Sequence, residues 1–355
     1  MSPCFGVRVS FLVAVLAIVL AAAARGDFAP PNDPRGVDPT SPNPLVGQRF
    51  YVDHGEPAYR QYRRYLHRGM RGRAALMWKI ASQPRFKWFG RWTRHGPALV
   101  RKVRKWLRRA ERRQPGAIPL MVVMRHQGKR CNSHYTGGGR AEDARHRKWI
   151  RRFAAAIGSR RVVIGYEPDS LGTVDCLARS RRRARLRLLR YGVDVLSKLP
   201  NATIYLEGGA SDWEPAPRTA RMLRFIGVRK VRGFMLNATH YDWTINNVRY
   251  GLKISRMTGG KPFIISTAFN GRGPVHLRAA SGRRINVWCH PAHRGLGTPP
   301  TTNTMNPKVD AYMWIGRPGY SAGSCNGGPR RVGAWWPARA LQLARYATNW
   351  AGPHR

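Results

Sequence analysis

Two acidic side chains that could do chemistry stand directly after an apolar, β-branched run in "RVVIGYEPDSL" at 161–171. Glu167 and Asp169 flank Pro168, in a chain that has 64 Lys+Arg and only 17 Asp+Glu. A carboxyl group at the end of a buried strand suits general acid or base catalysis, and a carboxyl group in "PDSL" also suits a helix N-cap. The residues alone leave both interpretations of Asp169 open.

Short apolar runs alternate with longer amphipathic segments from about residue 45 onward, which predicts parallel β/α units. Strands are predicted at 117–124, 160–166, 202–208, 232–237, 262–267 and 311–316. Helices are predicted at 58–70, 98–113, 141–157, 179–199, 215–226, 243–257 and 336–350. The fold class is therefore α/β, and a (β/α) barrel fits better than a doubly wound sheet because no GxGxxG loop follows the first strand.

The carboxyl ends of the strands in a parallel barrel form one rim, where the chemistry takes place. Charged, amide and aromatic side chains follow most of the predicted strands in this sequence. They are Arg125 to Arg130, Glu167 and Asp169, Glu207, Asn237 to Tyr241, and Arg317 to Ser321. The sequence thus predicts that these groups converge on a single site.

The formal net charge of +47 at pH 7 is the most unusual feature of the composition. By itself such a charge favours a polyanion partner, such as nucleic acid or an acidic polymer, or a membrane surface. The basic residues are nevertheless spread along the whole chain, and segments 98–113 and 180–199 combine them with Leu and Val at helical spacing. We interpret most of the charge as the solvated outer faces of core-packed helices, and we predict no specific nucleic-acid partner.

The first residues are typical of a secretory signal, with Arg8 before the apolar run "FLVAVLAIVLAAAA" at 11–24. We therefore predict a signal peptide over 1–24, a Pro-rich segment over 25–44 and one domain over 45–355. That organisation predicts a secreted, extracellular monomer with no membrane segment once the signal is removed.

Cysteine usage agrees with export into an oxidising compartment. Cys4 leaves with the predicted signal, and the four that remain allow three disulfide pairings, between which spacing alone does not choose. No CxxC or HxxxH spacing occurs, so we predict neither a metal nor a cofactor.

Several ordered segments of the chain resemble glycoside hydrolase family 6, the cellobiohydrolases and endoglucanases that act on β-1,4-glucan, and specifically its bacterial branch. The resemblance extends from "NPLVGQRFYVD" (43–53) to "WWPARALQLA" (335–344). "YEPDSL" (166–171) resembles the proton-donor motif, "IASQPRFKWFG" (80–90) a stretch near the cleft, and "WCHPAHRGLGTPPTTNT" (288–304) a tryptophan-bearing loop. The resemblance implies a distorted, TIM-barrel-like barrel of about seven parallel strands and hydrolysis with inversion.

The resemblance also implies roles for individual residues. Asp169 takes the position of the general acid, and shielding by apolar neighbours would help its carboxyl retain a proton. Cys131 would pair with Cys176, and Cys289 with Cys325. The implied glucan-binding set is Trp288, Trp213 and Tyr51 as stacking aromatics, with Asn237, His240, Glu207, Arg317 and Tyr320.

The chain departs from the family pattern at positions that normally activate water. Arg130 stands where the family has an aspartate beside the acid, and Ala322 stands at the position of the base. Tyr320 replaces a glutamate and Gly316 a lysine, with Arg317 next to it. Other departures are Met124 for a tyrosine, Gln127 for a proline, Lys129 for an arginine, Ala210 for a histidine, His240 for an asparagine, Glu207 for an aspartate and Ser266 for an aspartate.

Three hypotheses could explain how a chain functions that has the acid, Asp169, and lacks the usual base. Glu207 or Asp310 could serve as the base, although Asp310 also suits a buried structural partner. The chain could instead cleave an anionic glycan whose carboxylates meet the added arginines. It could also be a non-catalytic binder of an acidic polysaccharide or another polyanion, built on the same barrel.

Overall fold

The computed structural model describes residues 42–93, 95–125, 139–278, 282 and 284–348. The predicted signal peptide, and residues 25–41 of the Pro-rich segment, lie outside these ranges. None of the helices in the described part of the chain combines the length and the apolar character that crossing a membrane requires.

Seven parallel strands form one curled sheet, which confirms the predicted α/β class and the distorted barrel of about seven strands. They are β1 (Lys87–Gly90), β2 (Leu120–Met124), β3 (Val162–Tyr166), β4 (Ala202–Glu207), β5 (Gly233–Leu236), β6 (Phe263–Ser266) and β9 (Val309–Met313). Their spatial order is β1-β2-β3-β4-β5-β6-β9, and every neighbouring pair is parallel. Because the two edge strands β1 and β9 are not hydrogen-bonded to each other, the barrel is open on one side.

Helices and a short hairpin complete the described part of the fold. The helices are α1 (Pro57–His67), α2 (Arg71–Ala81), α3 (Pro97–Arg113), α4 (Arg140–Ile157), α5 (Arg179–Leu196), α6 (Ala216–Ile226), α7 (Thr244–Met257) and α8 (Pro337–Arg345). The hairpin consists of β7 (His276–Arg278) and β8 (Arg284–Asn286). Strand β1, helix α2 and this hairpin are additions to the elements that the sequence pattern predicts.

The strands are buried on both faces, as expected for a parallel sheet covered by helices. In β2, Leu120 and Val122 belong to the apolar cluster inside the barrel, whereas Met121 and Val123 belong to the cluster between the sheet and the helices. This division follows from the two-residue period of a strand, which sends successive side chains to opposite faces. The sheet is thereby fixed between two apolar layers, and the strand ends are held in a defined arrangement.

The Arg-rich helices are amphipathic, which confirms the interpretation of their charge. Helix α3 buries Leu99, Val103 and Leu107, while Arg101 and Arg104 are exposed. Spacing of three and four residues keeps the apolar side chains on one face of the helix. Much of the positive charge therefore lies on solvated outer surfaces.

Asp310 is a structural residue, so the hypothesis that it acts as a base is wrong. It is the second residue of β9, lies at the amino end of the strands and is fully buried. Arg232 donates to both of its carboxylate oxygens at 2.9 Å, and the Tyr205 hydroxyl donates to Oδ2 at 2.6 Å. A carboxylate so fully occupied, at the end of the barrel opposite the catalytic rim, can neither reach a substrate nor activate water.

Candidate active site

Asp169 lies in a tight turn at the carboxyl end of β3. Glu167 and Asp169 have φ angles of 59° and 68°, in the left-handed region that non-glycine residues seldom occupy. The Glu167 N–H donates to the Val123 carbonyl at 2.7 Å, and the Thr173 N–H donates to the Asp169 carbonyl at 3.1 Å. The turn is therefore fixed on both sides, and it presents a half-buried Asp169 side chain at the rim.

Glu167 shapes this turn from below. Its side chain is fully buried, and Oε2 accepts the backbone N–H of Arg125 at 2.7 Å. His146 Nε2 lies 3.8 Å from Oε1. The first acid of the pair therefore ties β3 to the end of β2, while the second faces the cleft.

The carboxyl group of Asp169 is oriented by its neighbours. Thr239, just beyond β5, donates its hydroxyl to Asp169 Oδ1 at 2.5 Å. This hydrogen bond holds the carboxyl group at the cleft surface, and it makes the alternative role as a helix N-cap the weaker interpretation.

Glu207 lies beneath Asp169 and does not line the cleft, so its predicted contact with glucan is wrong. It is 2% exposed, and its Oε1 accepts the Gly209 N–H at 2.9 Å. A hydrogen bond also links it to the Asp169 backbone. Burial, together with the negative charge of Asp169, raises the pKa of Glu207 well above its ordinary value, which favours the protonated form. The position and the favoured protonation state both argue against a role as the water-activating base.

A cleft with a volume of about 1340 Å³ opens above these groups, and aromatic side chains line much of it. Trp288 is 52% exposed and Trp92 is 55% exposed. Trp213 is half-buried, and Trp88 donates its indole N–H to the Ile315 carbonyl at 2.8 Å. The structure thus brings Trp288 and Trp213 into the cleft as predicted. It adds Trp88, which lies in the unpredicted strand β1, and Trp92, which lies just after that strand.

His240 and Asp212 form a hydrogen-bonded pair on the cleft wall. His240 Nδ1 lies 2.8 Å from Asp212 Oδ1, and its ring stacks on Trp213 with 4.7 Å between the centroids. Asn286 Nδ2 donates to Asp212 Oδ2 at 2.7 Å. The predicted His240 therefore lies at the site, and the Asp212 carboxylate orients its ring. Sequence reasoning missed Asp212, although its position shortly after β4 was a usable signal.

Two predicted ligand-binding residues are structural, so these predictions are wrong. Tyr51 is 2% exposed and packs edge-on against Trp106, with 5.8 Å between the ring centroids. Asn237 is 1% exposed, and its Nδ2 donates to the Ser266 carbonyl at 3.0 Å, which joins the ends of β5 and β6. A side chain bonded to the backbone beneath the rim cannot also contact a ligand in the cleft.

Arg317 and Tyr320 lie in the cleft wall, as predicted. The Arg317 guanidinium lies over Trp88 and Tyr320, at 5.2 Å and 4.8 Å from their ring centroids. The Tyr320 hydroxyl donates to Glu56 Oε2, and Lys87 Nζ lies 2.5 Å from Glu56 Oε1. Glu56, a half-buried carboxylate just before α1, thus links this wall to Lys87 at the start of β1.

Gly316, at the position of the family's lysine, has no room for a side chain. A Cβ atom at this residue would lie 2.3 Å from Cε2 of Phe269. The Phe269 ring therefore covers the backbone at the place where a lysine would begin.

Lowering the pH is expected to weaken the Glu56 anchor. Burial raises the pKa of Glu56, but Lys87, Arg85 and the Tyr320 hydroxyl outweigh burial and lower it to about 2. A depressed folded-state pKa contributes stability that is present above pH 4.5 and lost as the pH falls toward 2. The contribution is about 3 kcal/mol.

The free energies of urea unfolding of the unaltered chain and of Glu56→Gln should therefore differ more at pH 5 than at pH 2.5. An equal difference at both values would contradict the assignment, and Glu111→Gln, at an exposed ion pair, is the control.

Ala322 stands where the resemblance described above predicts the base. Ala322 lines the cleft, and its N–H donates to His290 Nε2 at 2.8 Å. His290 Nδ1 lies 3.1 Å from the Cys325 carbonyl, so Nδ1 is the donor and the imidazole is neutral. Burial lowers the pKa of His290 in agreement with this tautomer. Both ring nitrogens of His290 are thus occupied by the backbone.

Cys289 and Cys325 form a disulfide in the structure, which confirms one predicted pairing. These cysteines and His290 have their ligand atoms close together, but the two sulfurs are bonded to each other and cannot bind a metal as thiolates. Cys131 and Arg130 lie outside the described residues, so the pairing of Cys131 with Cys176 and the effect of Arg130 stay predictions.

Comparisons with known proteins agree with this architecture. The profile of "Glycosyl hydrolases family 6" matches residues 45–347. Endoglucanase A of Cellulomonas fimi is 33% identical over 307 residues, covering 86% of this chain and 62% of that protein. Endoglucanase 1 of Streptomyces halstedii is 30% identical over 341 residues, covering 94% of this chain and 97% of that protein.

A solved structure is also similar over most of this chain. The endoglucanase Cel6 from Mycobacterium tuberculosis, in complex with methyl-cellobiosyl-4-deoxy-4-thio-β-D-cellobioside, has a TM-score of 0.75 and 35% identity. The alignment covers 86% of this chain and 99% of that one. The similarity therefore extends over most of this chain and nearly the whole of that one.

Proposed function

Because this chain belongs to glycosyl hydrolase family 6, we propose that it is an exported glucanase-like protein that hydrolyses β-1,4-glucan with Asp169 as the general acid. The observation that carries the proposal is the position of Asp169, at the carboxyl end of β3 and on the floor of an aromatic cleft. Cellobiosyl groups form the ligand of the Mycobacterium structure, and two relatives are named endoglucanases.

The proposed acid step is protonation of the glycosidic oxygen. In an inverting reaction, one carboxyl group gives its proton to the leaving oxygen while water attacks the opposite face of the sugar ring and loses a proton to a base or to bulk solvent. The Thr239 hydroxyl holds the Asp169 carboxyl in place, and Glu207 beneath it adds little negative charge when protonated. These contacts support a carboxyl group that remains fixed in one orientation through the reaction.

Stacking on tryptophan is proposed to hold the sugar rings. Trp288 and Trp92 present more than half of their surface at the cleft, and the His240 ring lies against Trp213. A glucosyl ring has an apolar face that can pack on an indole, while its hydroxyls reach polar groups at the edges. His240, Arg317 and Tyr320 are proposed to supply those polar contacts.

Replacing Trp288 with Ala is expected to weaken binding of cellotetraose about tenfold or more, because an exposed stacking surface is lost. Binding is measured by titration calorimetry at low and at high salt. The loss should be the same at both, since stacking of a neutral sugar is not screened. Trp243→Ala is a matched control, because Trp243 is 47% exposed and lies outside this cleft. Equal affinities of the Trp288 and Trp243 variants would contradict the role of Trp288.

Export is part of the proposal and rests on two features. The apolar run at 11–24 follows a basic residue, as in a secretory signal. The Cys289–Cys325 disulfide suits an oxidising compartment. Purification of the chain from the culture medium, with a mature amino terminus near residue 25, would test this part.

A second candidate function is non-catalytic binding of an acidic polysaccharide. Two observations favour this second function. Ala322 stands at the predicted position of the base, and the lining of the cleft has more arginines than aspartates. Among the described residues that line the cleft, arginine occurs four times and aspartate twice. Binding of a polyanion should fall steeply as salt rises, whereas binding of neutral glucan should not.

Release of reducing sugar from soluble β-glucan by the purified chain tests the main proposal. The anomeric form of the first product, followed by proton NMR, should be inverted relative to the substrate. Background release from all neutral β-glucans, combined with salt-sensitive binding of acidic polysaccharide, would favour the second candidate function instead.

A further inference from the structure

Arg339 is a buried arginine on the wall of the cleft. It lies in α8, is 5% exposed and contributes to the cleft lining. Its Nη1 donates to Gln342 Oε1. Its Nη2 is also buried and has no hydrogen-bond partner among the described residues. The Tyr241 hydroxyl lies close enough to Arg339 to interact with it. The guanidinium therefore has only neutral partners among the described residues, and Nη2 is left without an acceptor there.

The charge of Arg339 is also uncompensated. No carboxylate of the described residues forms an ion pair with it, whereas two other buried arginines have one, Arg125 with Glu142 and Arg232 with Asp310. Its charged neighbour is Arg294, whose pKa is lowered by burial and by the positive charges of Arg272 and Arg339. A buried cation among cations is costly unless an anion accompanies it.

The location of Arg339 links it to the missing base. The positive charge of Arg339 acts on His290, and His290 accepts the N–H of Ala322. Arg339 therefore lies near the part of the cleft where the family has its aspartate and this chain has an alanine. This part of the cleft therefore combines an alanine at the predicted base position with a nearby positive charge.

We propose that Arg339 binds an anionic substituent of the glycan, a carboxylate or sulfate ester carried on a β-linked glucan backbone. The inference rests on the proposed function, since it uses the same cleft and the same stacking residues. A guanidinium donates to such oxyanions through charge-assisted hydrogen bonds, and an arginine is better suited to them than a lysine. The bound anion would satisfy Nη2 and supply the counter-charge that the described residues do not.

Arg331 extends the positive potential toward solvent. It is exposed at the edge of the same cleft, and no ion pair of it occurs among the described residues. An exposed cation of this kind accelerates the encounter with an anionic ligand, whereas a buried one discriminates between bound ligands. Arg339 is therefore the residue that sets the preference, and Arg331 contributes to attraction at low salt.

Titration calorimetry with matched ligands tests the proposal. The full chain is titrated with cellotetraose, with the same oligosaccharide oxidised to carboxylate at C6, and with its C6 sulfate ester. We expect an anionic ligand to bind at least about tenfold more tightly than cellotetraose does at low salt. The carboxylate and sulfate arms identify which anion is preferred, and sodium sulfate alone measures binding of the bare ion.

Substitutions on α8 test whether Arg339 causes the preference for anionic over neutral ligands. Arg339→Met should remove it while leaving the affinity for cellotetraose within about twofold, and Arg339→Lys should restore part of it. Arg345→Met is the matched control, because Arg345 is an exposed arginine of the same helix and does not line the cleft. That variant should retain the full preference.

The outcomes separate this inference from the proposed function. Equal binding of neutral and anionic ligands by the unaltered chain would overturn the anion site and leave the glucanase proposal intact. A preference that survives Arg339→Met would also overturn it. Absence of binding by any β-glucan, neutral or anionic, would overturn the proposed function itself. If Arg339→Met fails to fold, it also loses binding of cellotetraose. Arg339→Lys then provides the test, because it should bind cellotetraose normally and keep only part of the preference for anionic ligands.

Discussion

Replacement of Asp169 by Asn is expected to lower the rate of β-glucan hydrolysis about 100- to 10,000-fold, the range for loss of a general acid. Asn has the same shape and can still accept the Thr239 hydroxyl, which donates to Oδ1 at 2.5 Å in the structure. The variant therefore loses the proton and keeps the position of the group. Initial rates of reducing-sugar release from soluble β-glucan, at saturating substrate, provide the measurement.

The control for this experiment is Asp194→Asn. Asp194 is 41% exposed and forms a surface ion pair with Lys230. Its replacement should leave both the rate and the unfolding transition almost unchanged. A rate of the Asp169 variant equal to that of the control would show that another group donates the proton. Equal affinity of the variant and the unaltered chain for cellotetraose would separate a lost proton from lost substrate binding.

Replacement of Asp310 by Asn is expected to cost about 3–5 kcal/mol in the free energy of unfolding, because breaking a buried pair leaves a buried charge alone. Arg232 is 3% exposed and bonds both carboxylate oxygens. Guanidinium unfolding at neutral pH, followed by tryptophan fluorescence, measures the change. Activity per folded molecule should remain, since Asp310 lies at the end of the strands opposite the cleft.

The exposed ion pair between Glu111 and Arg160 provides the comparison for the Asp310→Asn result. Glu111→Gln disrupts the exposed contact between Glu111 and Arg160, and it should cost less than about 1 kcal/mol. If Asp310→Asn cost no more than this, the buried pair would not stabilise the barrel. If it abolished the activity of the folded protein, Asp310 would have to act in the reaction.

The order of strands and helices could be predicted because most of them carry a clear apolar pattern. Strand β3 is a continuous apolar run that is buried throughout, and helix α3 repeats its apolar residues at intervals of three and four. Strand β1 has four residues, with the half-buried Lys87 and Trp88 at its start, and its burial pattern is too short to indicate a strand. A sequence pattern also does not show that two strands fail to pair, so the opening between β1 and β9 could not be anticipated.

The candidate site was predictable at the level of strand ends and not at the level of side-chain direction. Asp169 follows β3 and Glu207 is the last residue of β4, yet one faces the cleft and the other lies buried beneath it. The difference depends on the turn, where positive φ angles at Glu167 and Asp169 redirect the chain. Trp92 and Asp212 were missed because they lie in loops, where no period relates a residue to a face.

The contact between Gly316 and Phe269 determines which substitutions this part of the cleft accepts. A side chain at 316 would meet the Phe269 ring at 2.3 Å, so a lysine does not fit there while the phenylalanine is present. Replacing the ring with a smaller side chain on its own leaves a cavity beside a buried strand end. The two positions are therefore coupled: a cation at 316 requires a double substitution, and each single substitution on the way to it costs stability.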